Sequence, residues 1–76
     1  DIALAGKRLV IVWKEFDGAR TQLRGEVSED GGTSFKPVSL AATAGASDQP
    51  RLLVRRDSLY AFWRTEREGM QVLPLK

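Results

Sequence analysis

The sequence predicts an all-β chain of antiparallel strands, and three observations carry that reading. Apolar residues fall in short runs rich in β-branched and aromatic side chains, as in "RLVIVWKEF" (Arg8–Phe16). The runs are separated by turn formers, as in "DGAR", "EDGG" and "SDQP". The opening hairpin pattern then returns 50 positions later. No stretch carries a helical stripe; only "SLAATAGA" (Ser39–Ala46) has the alanine content for a helix.

The elements follow in order. "DIALAG" reads as an opening strand. In Arg8–Phe16, Leu9, Ile11 and Trp13 point one way while Val10, Val12 and Lys14 point the other, so both faces are apolar and the strand is expected to be buried on both sides. "TQLRGEVSE" (Thr21–Glu29) is a strand with mixed faces. "FKPVSLAA" (Phe35–Ala42) is the next, and Pro37, lacking an N–H, places it at an edge or a bulge. "TAGASDQP" is a loop. "RLLVRRD" and "SLYAFWRTE" form a hairpin turning near Arg56-Asp57, and "GMQVLPLK" closes the chain as a strand that Pro74 weakens at its end.

Laying "IALAGKRLVIVWKEFDGARTQL" over "LLVRRDSLYAFWRTEREGMQV" places Ile2 on Leu52, Leu4 on Val54, Leu9 on Leu59 and Trp13 on Trp63, each pair 50 positions apart. Lys14 falls on Arg64. A slip of one residue in the next loop puts Gln22 on Gln71 and Leu23 on Val72. The unit is strand, tight turn, strand ending in Trp and a cation, turn, strand. The first copy continues through "SEDGGTSF" into a fourth strand; the second stops at Lys76 before that turn. The plainer alternative is that two amphipathic hairpins drawn from a limited alphabet align by chance.

Composition narrows the chemistry. The 76 residues allow one small domain at most, with a core too modest to be robust unless it is stapled, bound or associated. There is no Cys and no His, which removes disulfides, thiolate or imidazole metal sites, and Ser-His or Cys-His catalysis. No cofactor is expected. Twelve Lys+Arg against ten Asp+Glu leave a scattered net charge of +2, which speaks against a nucleic-acid partner or a membrane footprint. No apolar run approaches the roughly 18 residues of a membrane span. The chain begins at Asp1 without Met, which leads us to expect a processed product or an excerpt of something longer.

A four-stranded antiparallel unit of about 40–50 residues has the size of a β-propeller blade. Within it, "SEDGGTSF" resembles the Asp-box, Ser-x-Asp-x-Gly-x-Thr-Trp, of the sialidase-like or BNR-repeat family. Ser28, Asp30 and Gly32 match; Ser34 stands where Thr is usual and Phe35 where Trp is usual, keeping a hydroxyl and a ring. The physics of such a turn is independent of the family. Asp30 can accept bonds from N–H groups just ahead of it, and Gly32 can take positive φ. Ser28 and Ser34 can bond across the base, and Phe35 can fold beneath. An ordinary Asp-Gly-Gly hairpin loop is the alternative. The resemblance implies an all-β, sialidase-like propeller piece: residues 1–42 as a first blade with its Asp-box turn at 28–35, residues 43–49 as a linker, and residues 50–76 as an incomplete second blade. In that family the box joins the third and fourth strands and lies on the rim, so its role is structural.

The resemblance also implies where catalysis would come from: an arginine triad, a Tyr–Glu pair and an Asp acid/base drawn from several blades. Arg51, Arg55, Arg56 and Tyr60 are the residue types on offer, but none stands in a matching motif. Tyr60 is expected in a core or wall, and Arg55 and Arg56 at a solvated hairpin tip. Glu29 is expected to be exposed, and Glu15 and Glu66 could face a rim. Trp13 and Trp63, each followed by a cation, are expected in repeated packing roles, with a stacking surface for sugars or bases as the alternative. The expected function is therefore structural: non-catalytic blades of a parent that binds glycans or hydrolyses terminal sialic acid. Their partner would be the remainder of that parent or copies of this chain, with a periplasmic or secreted location implied by the resemblance. The rival reading is an independent small β-barrel that binds nucleic acid or peptide.

Overall fold

The computed structural model describes residues 1–75; Lys76, assigned above to the last strand, lies outside the described residues. The chain is all-β, with strands β1 (Ile2–Ala5), β2 (Arg8–Phe16), β3 (Thr21–Ser28), β4 (Lys36–Thr43), β5 (Arg51–Arg55), β6 (Ser58–Thr65) and β7 (Gly69–Leu75). They form two antiparallel meanders, a four-stranded sheet in the order β1-β2-β3-β4 and a three-stranded sheet in the order β5-β6-β7. The strands pair only within their own sheet, so no single barrel closes among the described residues. The alanine-rich stretch with helical potential is strand through Thr43, because Leu40, Ala41 and Val38 pack against the core from β4.

The repeat is visible in the hydrogen-bond register. β1 pairs Leu4 with Leu9 and Ala5 with Arg8; β5 pairs Val54 with Leu59 and Arg55 with Ser58, the same pairs 50 positions on. The third strand departs from the expected slip of one. Trp13 lies opposite Arg24, and Trp63 lies opposite Gln71, so Gln71 answers to Arg24 and not to Gln22. The reason is the loop. The first hairpin runs on to the pair Phe16–Thr21, whereas the second is already closed by Thr65–Gly69. Pro37 sits on edge strand β4 opposite Glu26, where its missing N–H costs nothing, and the ladder shifts register between Leu23 and Arg24.

The two sheets stack face to face. Val10, Val12, Leu23 and Val27 of the first sheet are buried, together with Leu59, Ala61, Trp63 and Leu75 of the second. Antiparallel partners share a face, so these residues define the two inner faces. β2 is therefore buried on one side only. Val10 and Val12 are sealed, while Leu9, Ile11 and Trp13 on the other side remain half-exposed. Asp1 ties the layers together at the β1–β5 end: its amino group donates to Val12 O at 2.8 Å, and its Oδ2 accepts from Leu52 N at 2.9 Å. The linker is fastened by Trp63, whose Nε1 donates to Asp48 O at 2.9 Å, and by Lys14, whose Nζ donates to Ser47 O at 3.0 Å.

Candidate functional site

The densest polar constellation is the turn between β3 and β4. Ser28, the last residue of β3, is fully buried, and its Oγ accepts the N–H of Gly32 at 2.8 Å while donating to Asp30 Oδ1 at 2.7 Å. Asp30 Oδ1 also accepts the N–H groups of Thr33 at 3.1 Å and Ser34 at 3.0 Å. Its Oδ2 takes the Ser34 hydroxyl at 2.7 Å. Gly31 and Gly32 adopt φ of 77° and 103° at no Cβ cost, and the Gly32 N–H turns inward to Ser28 Oγ. The Gly31 N–H reaches Lys7 O at 2.8 Å, pinning the loop to the β1–β2 turn. Ser28 and Ser34 do not bond across the base as expected; both converge on the Asp30 carboxylate. Phe35 follows as a half-buried ring.

This carboxylate is consumed by its own loop. The Ser34 hydroxyl and N–H, then Ser28 and Thr33, hold Asp30 far below the ordinary carboxylate range by bonding its charged form. Both oxygens are engaged inside the loop by donors that favour the ionised form, an arrangement suited to holding the turn closed and not to giving up a proton. Glu29 is exposed as expected, but its Oε1 lies 3.3 Å from Arg8 Nε. Arg8 is mostly buried, and neither its Nε nor its Nη2 makes an aligned hydrogen bond, so the contact is electrostatic.

The arginines and Tyr60 lie on the outer face of the second sheet. One open cleft is lined by Arg55, Arg56, Ser58 and Tyr60, and a neighbouring one by Leu53, Arg55, Tyr60, Phe62 and Val72. Arg51 lines a third cleft along the same face with Asp48, Gln49, Phe62, Arg64 and Met70. The structure thus brings Tyr60 together with Arg55 and Arg56, while Arg51 stands apart from them. No carboxylate lines either Tyr60 cleft, so a Tyr–Glu pair is not assembled there. Glu15 is on the far side of the molecule, bridged to Arg24 at 3.6 Å and accepting Trp13 Nε1 at 3.3 Å. Glu66 lines a separate cleft with Ala46, Ser47 and Asp48. Among the described residues, no three His, Cys, Asp or Glu side chains converge to hold a metal ion. No described helix is long and apolar enough to cross a membrane.

Two polar clusters escaped the sequence reading. Asp17 caps the β2–β3 turn, accepting the N–H groups of Arg20 at 2.8 Å and Ala19 at 3.0 Å and the Gln22 amide at 2.7 Å. The Arg20 and Ala19 bonds draw its pKa down to about 2. Glu68 is held below its usual range by the Thr43 and Thr65 hydroxyls, joining the β6–β7 loop to the end of β4. A signal for Asp17 lies in "DGAR", where an Asp can accept N–H groups two and three residues ahead; none marks the Thr43–Thr65–Glu68 meeting, because Thr43 and Thr65 lie in different sheets.

Comparison with protein-family models, with curated proteins and with solved structures finds no match to this chain.

Proposed function

We propose that the chain is a structural, non-catalytic piece of a sialidase-like, Asp-box-bearing β-propeller, with Ile2–Thr43 as one four-stranded blade and Arg51–Leu75 as three strands of the next. Its parent would bind glycans or act on terminal sialic acid. The observation that supports this most is the Asp30-centred turn. It sits between the third and fourth strands of a four-stranded antiparallel meander, and the Gly32, Thr33 and Ser34 N–H groups are answered inside the loop while that of Gly31 bonds Lys7 O in the β1–β2 turn. Such a turn fixes the β3–β4 connection without needing a ligand. The shared register of the two meanders adds to the reading, as does the approach of their first strands, β1 and β5, through Asp1.

Two measurements test the proposal. In denaturant melts, Asp30→Ala is expected to destabilise far more than Glu29→Ala, because it orphans two backbone donors and two hydroxyls at once; equal effects would reject a self-satisfied turn. With a fluorogenic sialoside, the chain is expected to show no turnover above a heat-killed control. Turnover that is abolished by Tyr60→Phe or Arg51→Ala would make it an enzyme.

A further inference from the structure

The two hairpins are equivalent in register, yet opposite faces of them meet in the core. Leu9, Ile11 and Trp13 lie on the outer face of the first sheet, while their equivalents Leu59, Ala61 and Trp63 form the inner face of the second. Conversely, Val10 and Val12 are inner, and their equivalents Tyr60 and Phe62 are outer. The interior contact is therefore front to back, not front to front. Between two units a heterologous contact of this kind leaves one front and one back uncovered, and further copies can add to both until a ring closes.

Those two uncovered faces are apolar beyond what scattered surface residues require. The outer face of the first sheet exposes Ile2 and Leu4, each 60% accessible, beside half-buried Leu9, Ile11 and Trp13. The outer face of the second exposes Met70 at 62% and Val72 at 55% beside Tyr60 and Phe62. They also differ in charge. Register places Glu15, Arg24 and Glu26 on the first, with Arg24 already paired to Glu15. It places Arg51, Arg55 and Arg64 on the second, where no strand residue is acidic and Asp48 of the linker, beside Arg51 and Arg64, leaves the arginines in excess.

We propose that copies of this chain associate front to back: the outer face of the first sheet in one copy docks on the outer face of the second sheet in the next, repeating the contact found inside the molecule. Trp13 is then buried as Trp63 already is, and Glu26 faces the arginine row. Burial of two apolar faces supplies the drive, and the opposed charges set the orientation and disfavour like-on-like pairing. The proposal needs only the interior front-to-back packing and stands apart from the resemblance to Asp-box proteins.

The test uses the full chain, Leu4→Asp (first face) and Val72→Asp (second face), all followed by sedimentation and tryptophan emission across concentration. Both substituted residues are exposed, so the fold is expected to survive; if either variant loses its β-sheet circular dichroism, Glu26→Arg or Arg51→Glu takes its place. The wild-type chain is expected to gain mass with concentration while its emission shifts to the blue, a shift absent in Trp13→Phe. Each single variant is expected to stay monomeric, and an equimolar mixture of the two is expected to form a heterodimer and stop there. A wild-type chain that stays monomeric at every concentration overturns the proposal. So does either variant dimerising alone, which would mean that a face pairs with its own kind.

Discussion

Trp13 and Trp63 hold the same register position in two equivalent hairpins, yet they live in different surroundings. Trp63 is fully buried, and its indole N–H anchors the linker at Asp48 O. Trp13 is half-exposed, and its indole N–H reaches only the exposed Glu15. Each ring leaves the same side of its own hairpin, but the neighbouring sheet lies on that side for the second hairpin and on the opposite side for the first. Position within a repeat sets the direction of a side chain; the stacking of the repeats sets whether anything is there to meet it.

The largest effect expected follows from that difference. Trp63→Ala should cost about 3–5 kcal/mol, close to the whole stability of so small a chain, whereas Trp13→Ala in a dilute sample should cost about 1 kcal/mol. Urea melts at low concentration measure both; similar losses would erase the distinction between the rings.

The next contrast lies within the Asp30 turn. Ser28→Ala buries an unsatisfied Gly32 N–H and should cost about 1–3 kcal/mol, while Ser34→Ala at the exposed end should cost under about 0.5 kcal/mol. The reverse order in the same melts would place the structural weight of the turn at its rim.

The two short hairpin turns sharpen the comparison in the other direction. Gly6 and Arg56 occupy equivalent positions with φ of 64° and 58°. Only Gly takes that conformation freely, so Arg56→Gly should raise stability by about 1 kcal/mol. A loss on this substitution would mean that the arginine side chain contributes more than its backbone strain takes away.

The smallest effect expected is that of acid. Asp17 and Asp30 are held below their unfolded values by hydrogen bonds to the ionised form, so their contribution is complete above about pH 4 and is lost as the pH falls through the folded values. Thermal midpoints should therefore be level from pH 7 to about 5 and decline below about 4. Asp30→Asn should flatten that decline more than Asp17→Asn. A midpoint that rises on acidification would contradict the sign for both residues.

Much of this was legible in the chain itself. The strands are bounded by their own turn formers, and a run such as Arg8–Phe16 has nowhere to place its β-branched residues but a pleated sheet. The 50-residue spacing carried over into the β1–β2 and β5–β6 registers, because a two-residue turn leaves no freedom to slip. The Asp30 turn was legible for the same reason: its donors and acceptors lie within a few residues of one another. The longer β2–β3 loop has no such constraint, and there the expected match of Gln22 to Gln71 gave way to Arg24.

Local chemistry in the sequence thus determined the strands, the tight turns and the closed polar loop at Asp30. Tertiary structure alone decided which face of each sheet is core. Alternation in β2 puts Val10 and Val12 on one side and Ile11 and Trp13 on the other, and both sides are apolar enough to be buried. The choice was made by the second sheet, which can cover only one of them. It also decided that Arg8 meets Glu29, that Asp1 reaches Leu52, and that Thr43, Thr65 and Glu68 converge, since each pairing joins groups that only stacking or strand pairing brings within reach.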